Sequence, residues 1–267
     1  MPRTAHYIDC QFGQLHYYQQ GENEKNVPLI CFHISPYSGR YYEKFQQKIS
    51  SDRIVICPDT PGYGGSSAPA NPASIEEITK AMVELVNSLG YEQVDLLGFH
   101  TGVLIAAELT NILPDKIRKL ILPGIPLVPK DKRSAFRKNY ETPRPYFEDK
   151  GFLANKWNEG LESEKEGWNN ERKIEMFAEV MRAGLKSNWG FMAVFDYDIE
   201  NSLSLIEKPV LIPIPDEMLA ASSRAAAGLF KNAEVIEMPH IQADLFENCP
   251  AEFIDQIRVF LTWQCRV

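Results

Sequence analysis

The sequence predicts an α/β architecture: a mainly parallel sheet with an N-terminal antiparallel hairpin and a helical insertion. Three observations carry that expectation. Short apolar, β-rich runs alternate with longer helical patterns, as in successive βαβ units. The runs are nearly continuous in apolar character rather than alternating, as strands covered on both faces are. The rhythm breaks from about Pro126 to Asp198 and resumes at Pro209.

The elements follow in order. Tyr7–Cys10 and Gln14–Tyr18, joined through Gln11-Phe12-Gly13, predict the edge hairpin. Val27–His33 and Ile54–Asp59 read as buried strands. Ser74–Leu89 is a helix that opens on a Ser-x-x-Glu capping box and stops at Gly90. Val94–Phe99 is the next strand. Thr101–Leu113, apolar on most faces, is a helix lying on the sheet, and Lys119–Pro123 is a strand. The insertion then brings charge and three of the four tryptophans, Trp157, Trp168 and Trp189. Its clearest helix is Glu171–Leu185, with Ile174, Phe177, Val180 and Met181 on one face. Pro209–Ile214 and Ala233–Met238 restore the strands, and Pro250–Trp263 closes as a helix. The expected division is a core of residues 1–125 and 206–267 around a helical cap of residues 126–205.

Composition narrows the function. Hydrophobic residues at 44% and charged residues at 24% describe a globular chain. A formal charge of −8 argues against a nucleic-acid partner. No apolar run approaches the ~20 residues of a membrane span. The five cysteines, Cys10, Cys31, Cys57, Cys249 and Cys265, form no Cys-x-x-Cys, so no zinc motif is present. Cys31 and Cys57 sit in apolar runs and read as core thiols. The first residues lack the apolar stretch of a signal peptide. A soluble chain in the reducing cytoplasm is expected; the oligomeric state is not indicated.

Ligands of an open parallel sheet bind beyond the carboxyl ends of its strands. The segments found there are Asp59-Thr60-Pro61-Gly62-Tyr63-Gly64-Gly65-Ser66 and Gly98-Phe99-His100-Thr101-Gly102. Asp216-Glu217-Met218 and Pro239-His240 follow the later strands. In this order the chain resembles the α/β-hydrolase superfamily over most of its length outside the cap. The resemblance implies the α/β-hydrolase fold with a cap and a nucleophile elbow at residues 98–102.

The chain departs from that pattern at the elbow residue itself, where His100 stands. An imidazole there can act as a general base, as a nucleophile forming an acyl-imidazole, or as an inert or binding group. The resemblance also implies an oxyanion loop at His33-Ile34-Ser35, where Ile34 replaces the usual glycine. Its candidate donors are the N–H groups of Ser35 and Thr101. The Ser35 hydroxyl can bind substrate, serve as a displaced nucleophile or cap the turn at Pro36, the last being favoured. The usual acid position falls on Met218; Glu217 ranks first among nearby carboxylates, Asp216 second, and Asp198 is a further candidate. His240 takes the place of the late histidine, and His33 reads as a loop brace.

His100, His240 and Glu217 together would form a 2-His-1-carboxylate set, but no local ligand motif supports it, so no metal is expected. The glycine turn at residues 61–65 lacks the Lys-Ser/Thr of a phosphate loop. Phe152, Trp157, Trp168, Phe177, Trp189, Phe191 and Phe195 should mostly pack inside the cap, a minority lining an apolar pocket. The expected activity is cofactor-independent and directed at a small, partly apolar ester or carbonyl substrate. The alternative is a non-catalytic small-molecule binder or receptor on the same fold.

Overall fold

Eight strands form one sheet: β1 Thr4–Cys10, β2 Gly13–Gln20, β3 Leu29–Phe32, β4 Val55–Pro58, β5 Val94–Gly98, β6 Ile117–Ile121, β7 Val210–Asp216 and β8 Ala233–Gln242. Their spatial order is β1-β2-β4-β3-β5-β6-β7-β8. The structure is a computed structural model that describes residues 1–143, 145, 149–161, 168–242 and 245–262. The β1–β2 and β2–β4 pairs are antiparallel and the rest are parallel. The hairpin forms as expected but runs longer at both ends, because Thr4 pairs with Gln19 and Cys10 with Gly13.

The apolar runs of β3 to β6 are covered on both faces. Along β3, Ile30 and Phe32 join one buried cluster, and Leu29 and Cys31 join the other. The first cluster is closed by α2 Ile75–Leu89 and α3 Thr101–Ile112. The second is closed by α1 Glu43–Ile49, α10 Leu245–Asn248 and α11 Ala251–Thr262. This two-face alternation explains the continuous hydrophobicity. The predicted α2 box is present: Glu77 N–H donates to Ser74 Oγ at 3.2 Å, and Ser74 N–H donates to Glu77 Oε2 at 2.9 Å. Gly90 then ends the helix at φ 73°. Cys31 and Cys57 are buried, and burial pushes the Cys31 thiol up. Trp263 and Cys265 lie outside the described residues.

Between β6 and β7 the described residues hold helices and no strand. These are α4 Lys130–Glu141, α5 Lys150–Leu161, α6 Asn170–Ala183, α7 Trp189–Asp196 and α8 Ile199–Ser204; α9 Ala220–Ala227 follows β7. The buried face of α6 differs from the expected one. Ile174 is 48% exposed, whereas Arg172, Met176, Glu179 and Ala183 are buried. The reason is ionic. Arg172 donates to Glu247 at 2.9 Å and to the Arg40 carbonyl at 3.0 Å, which rolls its face toward the sheet. The strand expected at Ala233–Met238 continues to Gln242, so His240 lies within β8. Among the described residues no helix is long and apolar enough to cross a membrane.

Candidate active site

The turn from β5 into α3 is built by contact distances. A Cβ on Gly102 would lie 2.5 Å from the Phe32 carbonyl carbon, and one on Gly98 would lie 2.6 Å from the Gly102 carbonyl carbon. Only glycine permits that approach of strand, turn and helix. Between them His100 takes φ 51° and ψ −114°, a backbone that an L side chain holds only under constraint. The constraint is visible in the bonds Phe99 N–H to Phe32 O (3.1 Å) and Val103 N–H to His100 O (2.9 Å).

His100 reaches Glu217, the residue directly after β7. Its Nε2 lies 3.1 Å from Glu217 Oε2, with the side chains 14% and 10% exposed. A carboxylate can only accept, so Nε2 carries the hydrogen, and in the neutral imidazole Nδ1 keeps the lone pair. Nδ1 makes no hydrogen bond among the described residues, and the ring borders a cavity. The second Glu217 oxygen, Oε1, is buried without a partner. Of the other carboxylates considered, Asp216 is exposed and Asp198 pairs with Lys130 at 3.4 Å on the surface. Met218, at the expected acid offset, is 85% exposed.

The expected partnership of His240 with His100 is not made. The chain bulges where Met238 faces Pro215 and Gln242 faces Asp216, and His240 sits in that bulge. Its ring is exposed, and Nε2 lies 2.7 Å from Glu252 of α11. The three groups of the 2-His-1-carboxylate set are therefore not gathered, and no cluster of three or more His, Cys, Asp or Glu suited to a metal is present among the described residues.

His33 is enclosed instead. Its Nδ1 donates to the Ile34 carbonyl at 2.9 Å, and its Nε2 accepts from Thr60 N–H at 3.0 Å. Burial lowers its pKa from 6.5. The neighbouring Asp59 accepts from Gly39 N–H (2.7 Å), Gly65 N–H (2.7 Å) and His16 Nδ1 (2.8 Å), tying the segments at residues 39 and 65 and strand β2 to one carboxylate. The contribution of His16 had no sequence signal, because it comes from the opposite side of the β2–β4 pair.

Ser35 is buried at the cavity wall beside Ile34. It does not cap the Pro36 turn, which closes through Tyr37 N–H on the Ile34 carbonyl at 3.1 Å. Its hydroxyl makes no hydrogen bond among the described residues. Thr101 is the first residue of α3, so its N–H has no acceptor within the helix.

The cavity measures about 420 Å³ and lies between this turn and helices α5 to α7. Trp168, Phe177 and Phe191 supply aromatic wall, with Met176, Val180 and Met181. Trp157 is 46% exposed and packs edge-on to Phe177, whereas Phe195 stacks on Phe136. Lys156 and Glu159 form an ion pair at the cavity wall, a polar feature the sequence did not announce.

A family model described as the alpha/beta hydrolase fold matches residues 27–155. Epoxide hydrolase 1 of Caenorhabditis elegans is 26% identical over 200 residues, covering 73% of this chain and 47% of that protein. The 3-hydroxybutyrate-oligomer hydrolase of Cupriavidus necator is 32% identical over 108 residues, covering 40% of this chain and 37% of that protein. The chain thus spans less than half the length of either relative. Among solved structures, an epoxide hydrolase of Vigna radiata superposes with TM-score 0.79 at 15% identity, over 97% of both chains. A hydrolase from Pseudomonas aeruginosa does so with TM-score 0.76 at 20% identity, over 97% of this chain and 98% of that one.

Proposed function

From the α/β-hydrolase fold, which this chain has, we propose a cofactor-independent, hydrolase-type enzyme for a small, partly apolar ester or carbonyl compound. The named relatives and the apolar cavity support that class; a cytoplasmic location is part of the same proposal. The observation that carries the reading is the His100–Glu217 bond at the cavity wall. Glu217 holds Nε2–H, so the open Nδ1 is the base.

For an ester, Nδ1 takes a proton from water as the water oxygen bonds to the carbonyl carbon. The N–H groups of Ser35 and Thr101 take up the charge on the carbonyl oxygen. The imidazolium then returns its proton to the leaving oxygen as the C–O bond breaks, giving acid and alcohol. Ile34 shapes the donor loop. His240, bonded to Glu252, has no part in these steps.

The test is turnover of a panel of short activated esters and thioesters by the wild type, His100→Ala and His100→Ser. Turnover that falls at least ~100-fold in His100→Ala supports the reading. A silent wild type that shows saturable ligand stabilisation identifies a binder instead. Labelling of residue 100 in the wild type by a serine-directed fluorophosphonate overturns the mechanism.

A further inference from the structure

We infer that Gly124 is a positioning residue for His100, present to leave room for an imidazole lying against Glu217. Gly124 is buried, follows β6 and has φ 66°. A Cβ there would stand 2.8 Å from His100 Nε2 and closer still to Cδ2. These atoms form the ring edge that reaches Glu217. The same Cβ would stand 3.1 Å from Phe99 Cε2, and the Phe99 ring centroid lies 4.1 Å from that of His100. The imidazole therefore has no free direction in which to yield without leaving Phe99 or Glu217.

The glycine loop is not free to retreat either. Ile125 N–H donates to Ser223 Oγ at 2.9 Å and Leu127 N–H to Ser222 Oγ at 2.9 Å. Ser222 in turn donates to the Ile125 carbonyl. Both serines lie on α9, which starts three residues after Glu217. One helix thus anchors the loop that bounds the ring and follows directly on the carboxylate that holds it. A side chain at 124 turns the ring and takes Nε2–H off Glu217.

This inference deepens the proposed role of His100, but it is tested without turnover. The first readout is the imidazole ¹⁵N–¹H spectrum of His100 in the wild type and Gly124→Ala. The wild type should show one tautomer, protonated at Nε2, and Gly124→Ala should lose it. The second is denaturant stability of Gly124→Ala in the wild-type and His100→Ser backgrounds. The strain of a side chain at φ 66° is common to both and cancels. The ring clash does not cancel, so the unfolding constant should rise roughly 10-fold more with histidine present. Folding of Gly124→Ala only when combined with His100→Ser is the extreme form of that result. An unchanged tautomer with equal cost in both backgrounds overturns the inference. So does failure to fold in both, because the backbone alone is then the constraint. An enzyme without turnover that still loses the tautomer in Gly124→Ala defeats the proposed reaction and leaves this inference standing.

Discussion

His33 and His100 stand beside each other at the carboxyl ends of β3 and β5, where Phe32 pairs with Gly98. Their surroundings differ in one respect that decides their chemistry. Both nitrogens of His33 are engaged, one with the Ile34 carbonyl and one with Thr60, and the residue is fully buried. His100 has one nitrogen on Glu217 and the other open to the cavity. Its backbone is also strained, whereas His33 has no positive φ. A histidine with both nitrogens bonded braces a loop; one bonded at a single nitrogen retains a lone pair for a proton. Position beyond a strand end is therefore not enough to assign a role.

Five measurements test this contrast, in falling order of effect. His100→Ala should cost at least ~100-fold in turnover, about 2.7 kcal/mol of transition-state stabilisation. Its melting temperature should hardly move. His33→Ala should do the reverse. It strands the Thr60 N–H and the Ile34 carbonyl in the interior, so urea unfolding should show a loss of about 2 kcal/mol. Turnover per folded molecule should remain within a few-fold. Equal behaviour of the two variants in both assays would erase the distinction.

Acid titration separates them next. Burial lowers the folded-state pKa of His33 below 6.5, so the unfolded chain takes up that proton first. The contribution is complete above about pH 6.5 and is lost as pH falls toward the folded value, by at most about 1.4 kcal/mol per pH unit. Melting curves from pH 7.5 to 5.5 should show that slope, and His33→Gln should flatten it. His100→Gly should raise stability by about 1 kcal/mol, because glycine accepts φ 51° without strain. A fall in stability there would mean the turn is not strained. The smallest effect belongs to His240→Ala. Loss of its exposed contact with Glu252 should cost under about 0.5 kcal/mol and leave turnover unchanged. A His240→Ala loss as large as that of His100→Ala would return His240 to the reaction.

Much of the fold was legible because its signals are local or periodic. Continuous apolar runs marked the inner strands, Ser74 and Glu77 marked the start of α2, and paired glycines marked the turn at His100. The site was legible only in outline. The offset from the strand ranks Glu217 ahead of Asp216, but whether its side chain turns inward depends on how β7 ends against α9. His240 follows a strand as expected, but a bulge in the β7–β8 register carries it to Glu252. Of the apolar stripe on α6, Phe177, Val180 and Met181 line the cavity and Ile174 is exposed, while Arg172, a charge that looks solvated in sequence, is buried among Glu247 and the Arg40 carbonyl.

The α/β alternation, the N-terminal hairpin and the identity of the residue at the strained turn are written locally in the chain. Those depend on periods of two and 3.6 residues, on caps and on glycine, all read within a few positions. That Glu217 meets His100 across 117 residues of chain, that Ser35 faces a cavity rather than its own turn, and that Gly124 borders the imidazole follow from how the whole chain packs. Such pairings are set by where separate strands and helices end in space. Packing distances of a few ångströms fix them, and no local pattern records those distances.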